Sequence, residues 1–145
     1  AVITPHPGEM AKLTGRDIQN ILDNRFDIGL EIAGAIGAAV LLKGTPTVVS
    51  GSGGERLVVA AGTPALATGG SGDALSGMVV TLLAQGCAPH VAAACAAWVH
   101  GRAAELTPGV RGFRLLDIVE RLPQAWTAQP PSHRYPVIAS LPGVA

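Results

Sequence analysis

The sequence predicts an α/β domain in which helices cover a mainly parallel sheet, and two observations support this prediction. Short apolar runs of strand character alternate along the chain with longer segments of helical periodicity, the pattern of layered α/β folds. The chain has 145 residues, of which 48% are hydrophobic, and this is enough for one domain with its own core. Ligands of such sheets bind where strands end and helices begin, so we expect a site there.

Four apolar runs predict strands, and each stops at a turn signal. The run "AVIT" ends at two prolines, and "AAVLLKG" ends at a lysine followed by a glycine. The runs "TVVS" and "RLVVAA" flank the turn "GSGGE", which predicts a β-hairpin. These runs occupy residues 1–4, 38–44, 47–50 and 56–61.

Helical periodicity fills most of the remaining chain. It predicts a short helix ending at Gly15, one or two amphipathic helices over residues 16–38, and three more helices. The three are placed at residues 73–86, 89–106 and 114–126. Residues 127–145 are rich in proline and show no periodicity, so we expect an extended tail that crosses onto another part of the molecule or a partner. The chain is accordingly divided into a domain, 1–126, and a tail, 127–145.

Composition argues against several classes of function. Ten basic residues balance ten acidic ones without forming a basic cluster, so nothing favours a nucleic acid or an anionic membrane. The apolar runs are too short to span a bilayer, and no secretory signal is present. Cys87 and Cys95 lack metal-site spacing, which predicts reduced thiols in the cytoplasm. Only 14% of the residues are charged, which indicates buried elements or a subunit interface.

The stretch "ATGGSGDALSG", residues 67–77, places a glycine turn directly before a predicted helix. Glycines allow the backbone to approach a ligand, and the first N–H groups of a helix favour phosphate. The negative charge of Asp73 would repel a bound phosphate, so its position is explained only if it takes a proton from the hydroxyl that attacks the phosphoryl group. The alternative is an Asp cap after a flexible turn, which the glycines alone do not exclude. The loop is neither a Walker motif nor a dinucleotide fingerprint.

Two further segments carry polar groups at predicted strand ends. Lys43 ends the apolar run of "LLKGTPTVV", residues 41–49, and would place an ammonium group at the mouth of the sheet. His6 is fixed between two prolines in "TPHPGEM", residues 4–10, close to Glu9. Each also has a simpler explanation, since a lysine can extend its head group to water and a lone histidine is often a surface residue. His100 and Trp98 lie in an alanine-rich helix, where core or interface packing is favoured.

Five segments taken together and in this order resemble the C-terminal half of the ADP/ATP-dependent NAD(P)H-hydrate dehydratases, which have a ribokinase-like fold. The resemblance runs from about residue 1 to about residue 126. The segments are "TPHPGEM", "DNR" (23–25), "LLKGTPTVV", "GTPALATGGSGDALSGMVVTLLAQG" (62–86) and "AAWVHG" (96–101).

The resemblance implies an enzyme of nicotinamide nucleotide repair with a ribokinase-like α/β/α fold that lacks its N-terminal half. Its substrate is NADH or NADPH hydrated at the ring, ADP or ATP is the co-substrate with Mg²⁺, and the products with ADP are NAD(P)H, AMP and phosphate. Because hydroxide leaves poorly and phosphate leaves well, the ring hydroxyl is first phosphorylated. Without the first half, the sheet would expose an unpaired edge. We therefore expect either a homo-oligomer or a partner that supplies the missing half.

The resemblance also assigns roles to residues. Asp73 would be the base and would contact the hydrate, and His6 would contact the same substrate. No residue is assigned to a metal. The anion hole for the transferred phosphate would be formed by Gly69, Gly70, Ser71 and Gly72. The nucleotide would be bound by Lys43, Gly44, Thr45, Pro46, Thr47 and Gly72.

Two alternatives stay open, and one departure from the family pattern is visible. A related kinase of a vitamin-precursor alcohol would also place an Asp after a glycine loop, and a non-catalytic nucleotide-binding fragment would keep the loop without turnover. Family members usually read Gly-Asn-Pro-Gly before the glycine loop, whereas residues 62–65 read Gly-Thr-Pro-Ala. This departure predicts a weakened or reshaped loop.

Overall fold

The computed structural model describes residues 1–109, 112, 114–127 and 138–140. Within these residues five strands form one sheet, in which the spatial order follows the order along the chain. The strands are β1 (Val2–Ile3), β2 (Ala39–Leu42), β3 (Thr47–Ser50), β4 (Arg56–Val59) and β5 (Ile138–Ser140).

The sheet is mixed, so the prediction of a mainly parallel sheet is wrong for the part of the chain that the structure describes. β1 and β2 run parallel, with Val2 opposite Ala39, whereas the other three neighbouring pairs are antiparallel. The physical reason is the length of the connections. Parallel strands need a crossover of a dozen or more residues, whereas β2, β3 and β4 are joined by turns at residues 43–46 and 51–55. β5 lies within the segment 127–145 and pairs with β4.

Seven helices and one 3₁₀ turn lie in the described residues. The helices are α1 (Pro7–Thr14), α2 (Ile18–Asp23), α3 (Ile28–Ile36), α4 (Ser71–Ala84), α5 (Pro89–Leu106), α6 (Leu115–Val119) and α7 (Leu122–Thr127). The 3₁₀ turn is Pro64–Leu66. The single helix predicted at 114–126 is two, because Pro123 has no N–H to continue the ladder and fits instead in the first turn of a new helix, which begins at Leu122.

Helices cover both faces of the sheet, and β2 shows how the sequence achieves this. Side chains alternate between the two faces of a strand, so Leu41 packs into the core formed with α4 and α5. Its neighbours Val40 and Leu42 point the other way, into the core formed with α1, α2 and α3. β2 is buried along its whole length, as its uninterrupted apolar sequence predicts.

Helix α5 packs closely against the segment that follows β4, because the side chains on its buried face are small. Its buried face consists largely of alanines, and Gly101 makes the closest approach. A Cβ on Gly101 would lie within 2.7 Å of three atoms of Ala61. No helix in the described residues is long and apolar enough to cross a membrane.

We predict that Gly101→Ala lowers the free energy of unfolding by about 1–3 kcal/mol, because the added methyl would press α5 away from Ala61. The matched control is Gly77→Ala in α4, where no described atom lies within 4 Å of the Cβ position. That substitution should raise stability by roughly 0.5–1 kcal/mol through helix propensity. Urea unfolding of both variants measures the difference, and equal effects would contradict the tight contact.

Candidate active site

A pocket of about 920 Å³ opens beside the sheet, where several of the predicted site segments meet. Its walls come from the β2–β3 turn, the end of β4 and the residues after it, the first turn of α4, and α5. The polar or charged side chains of its lining are His6, Lys43, Thr45, Thr47, Thr63, Thr68, Ser71 and His100. The volume suits a ligand of nucleotide size.

The first turn of α4 forms one wall of this pocket. Gly70 caps the helix in the left-handed conformation, with φ 82°, which glycine adopts without strain. Ser71 and Gly72 line the pocket, whereas Gly69 and Gly70 are exposed beside it. The Asp73 N–H donates to the carbonyl of Gly70, but the Gly72 N–H has no backbone acceptor among the described residues. The start of the helix therefore offers a free donor and its positive dipole end to an anion.

Lys43 adds a full positive charge to that wall. A Cβ on Gly72 would lie 3.5 Å from Lys43 Nζ, so the ammonium group lies against the first turn of α4. The same nitrogen is 3.5 Å from Glu9 Oε2, and the Lys43 N–H donates to the carbonyl of Pro5 at 2.9 Å. Lys43 thus links the segment of residues 4–10 to the glycine loop.

The remaining predicted nucleotide-binding residues follow Lys43 along the same wall. All of the segment from Lys43 to Thr47 lines the pocket. Its turn is closed by the Thr47 hydroxyl, which donates to the carbonyl of Gly44 at 3.2 Å. The structure therefore brings the segment and Gly72 to one pocket.

His6 lines the pocket and also caps α1. Its Nδ1 accepts hydrogen bonds from the N–H groups of Gly8 at 3.1 Å and Glu9 at 3.2 Å. Glu9 completes the capping box by accepting the His6 N–H at 2.6 Å. This backbone bond, together with Lys43, holds the pKa of Glu9 below its usual range. Since Nδ1 is committed to the cap, only Nε2 of His6 remains for a ligand, and it lies 3.4 Å from Glu9 Oε1.

Asp73 lies next to the pocket rather than in its wall. It is the third residue of α4, and its side chain is exposed. Successive helical residues turn by about 100°, so Ser71 and Gly72 face the pocket while Asp73 faces outward. No hydrogen bond or ion pair from the described residues engages its carboxylate, which is exposed to solvent.

His100 also lines the pocket, although its alanine-rich context favours core or interface packing. It is buried on α5, and its Nε2 lies 3.5 Å from the hydroxyl oxygen of Ser71 in the glycine loop. Burial lowers the pKa of His100 to about 4, so the ring is neutral at physiological pH. It can therefore exchange a hydrogen bond with Ser71 without placing a second positive charge in the pocket.

The loop that departs from the family pattern is capped and packed. The Thr63 hydroxyl accepts the N–H of Ala65 at 3.3 Å, and Ala65 is fully buried. From the other side, Glu105 of α5 accepts the N–H of Gly62 at 2.8 Å. Thr63 therefore caps the turn of this loop, and the buried side chain of Ala65 holds the loop against the core.

The described residues contain no group of three or more His, Cys, Asp or Glu side chains that could hold a metal ion. Magnesium often binds through one or two carboxylates together with the phosphates of a substrate. Within the described residues the site therefore fits a magnesium ion that would arrive with the phosphates of a nucleotide, and no residue is assigned to hold it.

A mixed sheet covered by helices on both faces, with a lysine and a helix start sharing one pocket, defines an α/β protein with a candidate anion site at a helix N-terminus. The particular family follows from the comparison of sequences. The profile of the NAD(P)H-hydrate dehydratase family matches residues 1–123, and the chain belongs to this family.

Curated relatives agree with this assignment. The chain is 41% identical over 125 residues to the bifunctional NAD(P)H-hydrate repair enzyme Nnr of Moorella thermoacetica. The aligned region covers 84% of this chain and 24% of that protein. It is 41% identical over 105 residues to the ADP-dependent (S)-NAD(P)H-hydrate dehydratase of Neisseria meningitidis, covering 72% of this chain and 36% of the relative. The chain thus spans about a quarter to a third of these relatives.

Solved structures confirm the α/β fold. The ADP/ATP-dependent NAD(P)H-hydrate dehydratase of Bacillus subtilis, co-crystallised with ATP and Mg²⁺, superimposes with a TM-score of 0.81 at 31% identity. The match covers 86% of this chain and 46% of that one. A hydroxyethylthiazole kinase of Pyrococcus horikoshii, at 17% identity and a TM-score of 0.77, shows the fold alone, with 97% of this chain and 55% of that one covered.

We predict that burial of His100 makes the chain less stable in mild acid. Its pKa is lowered from 6.5 to about 4, so below pH 6.5 the unfolded chain binds the proton first. Stability should fall as the pH drops from 6.5 towards 4, by about 3 kcal/mol in total from this group. His100→Gln should remove that part of the slope in urea unfolding measured between pH 4 and 7. His90→Gln, near the start of the same helix, should keep it.

Proposed function

We propose that the chain carries the catalytic part of an ADP-dependent dehydratase of NADH or NADPH hydrate, giving NAD(P)H, AMP and phosphate. One observation carries the proposal. Lys43 and the first turn of α4 share one pocket, and the exposed carboxylate of Asp73 follows in the same turn. Positive groups that hold a phosphate, next to a carboxylate that can accept a proton, are the arrangement phosphoryl transfer needs.

In the proposed reaction, Asp73 takes the proton from the ring hydroxyl, whose oxygen attacks the terminal phosphoryl group of ADP while AMP leaves. Cleavage of the bond between the ring carbon and the phosphate oxygen then releases phosphate. Loss of a proton from the neighbouring ring carbon restores the double bond and completes NAD(P)H. Lys43, Gly72 and the loop from Gly69 to Ser71 stabilise the charge on the transferred group. His6 contacts the hydrate through Nε2.

The relatives support the co-substrates in this scheme. The Neisseria relative is described as ADP-dependent, and the Bacillus relative was crystallised with ATP and Mg²⁺. ADP or ATP would lie along the segment from Lys43 to Thr47, whose residues all line the pocket. When bound, Mg²⁺ would neutralise part of the phosphate charge. Cys87 and Cys95 are free thiols, which suits the reducing cytoplasm, where we propose that the reaction takes place.

We further propose that the chain works in an assembly, as a homo-oligomer or with the other half of a complete domain. β1 lies at an edge of the sheet. The large side chains of Leu13, Ile18, Leu22 and Phe26 are at least 40% exposed over α1 and the segment up to α3. Both features are typical of surfaces that another chain covers. Light scattering during size exclusion measures the mass, and an active monomer would contradict the proposal.

The test of the function incubates the chain with NADH hydrate, ADP and Mg²⁺ and follows the return of NADH absorbance together with release of inorganic phosphate. If the unmodified chain recovers NADH and the Asp73→Ala variant does not, the result supports dehydratase activity. A phosphorylated product without phosphate release would instead identify a kinase. If no hydrate is consumed while ADP binds, the chain is a nucleotide-binding fragment whose substrate half lies elsewhere.

We predict that Asp73→Asn reduces turnover by roughly 10²–10⁴-fold, because the amide cannot accept the hydroxyl proton. Binding of ADP, measured by calorimetry, should be unchanged or slightly tighter, since one negative charge near the phosphates is removed. Asp23→Asn on α2 is the matched control and should keep full turnover. An Asp73→Asn variant that loses ADP binding and turnover together would refute the role as a base.

We predict that Lys43→Ala weakens ADP binding by roughly tenfold or more, which is the scale of a lost charge-assisted hydrogen bond. Lys12→Ala, at the exposed end of α1, removes the same charge away from the pocket and should leave affinity unaltered. Isothermal titration of the three proteins at one salt concentration provides the comparison. Equal dissociation constants for all three would exclude Lys43 from the nucleotide site.

A further inference from the structure

The turn between β2 and β3 is held by a side chain from elsewhere in the chain. Arg25 follows the end of α2, and its Nη1 donates to the carbonyl of Thr45 at 3.0 Å, 20 positions away. Its Nη2 donates to the carbonyl of Pro46. A single guanidinium group therefore binds two consecutive carbonyls of the segment that follows Lys43.

Gly44 leaves the space that this arrangement needs. A Cβ on Gly44 would overlap the Nη2 atom of Arg25, so no other residue type fits without moving the guanidinium group. The carbonyl of Gly44 is itself taken by the hydroxyl of Thr47. Three consecutive carbonyls, those of Gly44, Thr45 and Pro46, thus each accept a hydrogen bond from a side chain.

This pattern bears on anion binding. A carbonyl oxygen carries partial negative charge, so one turned toward a bound phosphate would repel it. The bonds from Arg25 and Thr47 engage these oxygens within the protein and fix the turn to which Lys43 belongs. The guanidinium group lies 5.9 Å from the centre of the Phe26 ring, a contact that favours its placement.

We propose that Arg25 is a positioning residue of the nucleotide site, which holds the turn of residues 43–47 in the shape that binds phosphate. The inference rests on the proposed function, because it assigns the bound anion to ADP. Arg25 does not line the pocket in the described structure and acts through the turn. Its planar fork is required, since a lysine keeps the charge but cannot reproduce two parallel hydrogen bonds.

The test compares Arg25→Lys with Arg16→Lys on the full chain. Arg16 forms an exposed ion pair with Glu31 and is the matched control. Arg25→Lys should weaken ADP binding by about tenfold, as expected for lost charge-assisted bonds. It should also speed hydrogen exchange at the amides of residues 43–45 and 47, while the thermal midpoint and exchange in α4 and α5 stay near the values of the unmodified chain. Arg16→Lys should change none of these.

Gly44→Ala is an independent route to the same displacement, because its methyl group takes the place of the guanidinium. It should reproduce the weaker ADP binding and faster exchange of Arg25→Lys. The double variant should be little worse than either single one, since both remove the same contact. Fully additive losses would show that the two residues act separately and would overturn the proposal.

Two further results would also overturn it. One is an Arg25→Lys variant whose exchange in residues 43–47 matches the unmodified chain, since Arg25 then does not hold the turn. The other is faster exchange with an unaltered ADP dissociation constant, since the shape of the turn then does not serve the nucleotide. Should the unmodified chain fail to bind ADP, the proposed function fails and so does the nucleotide role of Arg25. Exchange alone still decides whether Arg25 holds the turn.

Discussion

The candidate site depends on where Lys43 lies. Its ammonium group is placed between the carboxylate of Glu9 and the start of α4. Next to the first turn of α4 it faces the positive end of the helix dipole, an unfavourable neighbour that Glu9 offsets. The side chain of Glu9 is 51% exposed, and a pair of this kind contributes about 0–1 kcal/mol. In the proposed function, a nucleotide phosphate carries more charge than Glu9 and would lie against both positive groups, so it would displace so weak a partner.

The second constraint is the contact of α5 with the segment after β4. Gly101 brings the helix backbone against Ala61, and Glu105 binds the Gly62 N–H one turn further on. His100 precedes Gly101, so the contact that fixes the helix also sets the depth at which the imidazole meets Ser71. Close packing and a polar pocket wall thus come from adjacent positions of one helix.

The sequence predicts the helices well because their ends carry local chemistry. Gly15 ends α1 in the left-handed conformation at φ 68°, and α5 begins at Pro89 as its sequence predicts. The direction of the strands is not local in this sense. The turn at residues 51–55 predicts the antiparallel hairpin of β3 and β4 correctly, but the apolar run of β2 shows only that this strand is buried. Its antiparallel pairing with β3 depends on the short turn at residues 43–46, so the prediction of a mainly parallel sheet is wrong.

The same distinction separates the candidate site residues that the sequence indicates from those that only the structure brings forward. The glycine loop and Lys43 stand at predicted element ends, where unpaired donors and charges are expected to collect. His100 lies within an alanine-rich helix, where no local signal separates a packed histidine from one that lines a pocket. Arg25 bonds to a segment 20 positions away, and its partners are backbone carbonyls, which every residue has and which the sequence therefore cannot reveal.

The rotation of α4 explains how a carboxylate can follow directly after the proposed phosphate site. If Asp73 faced the pocket, its charge would oppose the anion that Lys43 and Gly72 attract. One residue later than Gly72, it faces outward instead and is exposed. In the proposed reaction the nucleotide phosphate therefore comes from the pocket and the ring hydroxyl from the outer side of the same turn. The two reactants meet at the helix start from different sides, which is the approach that in-line displacement at phosphorus requires.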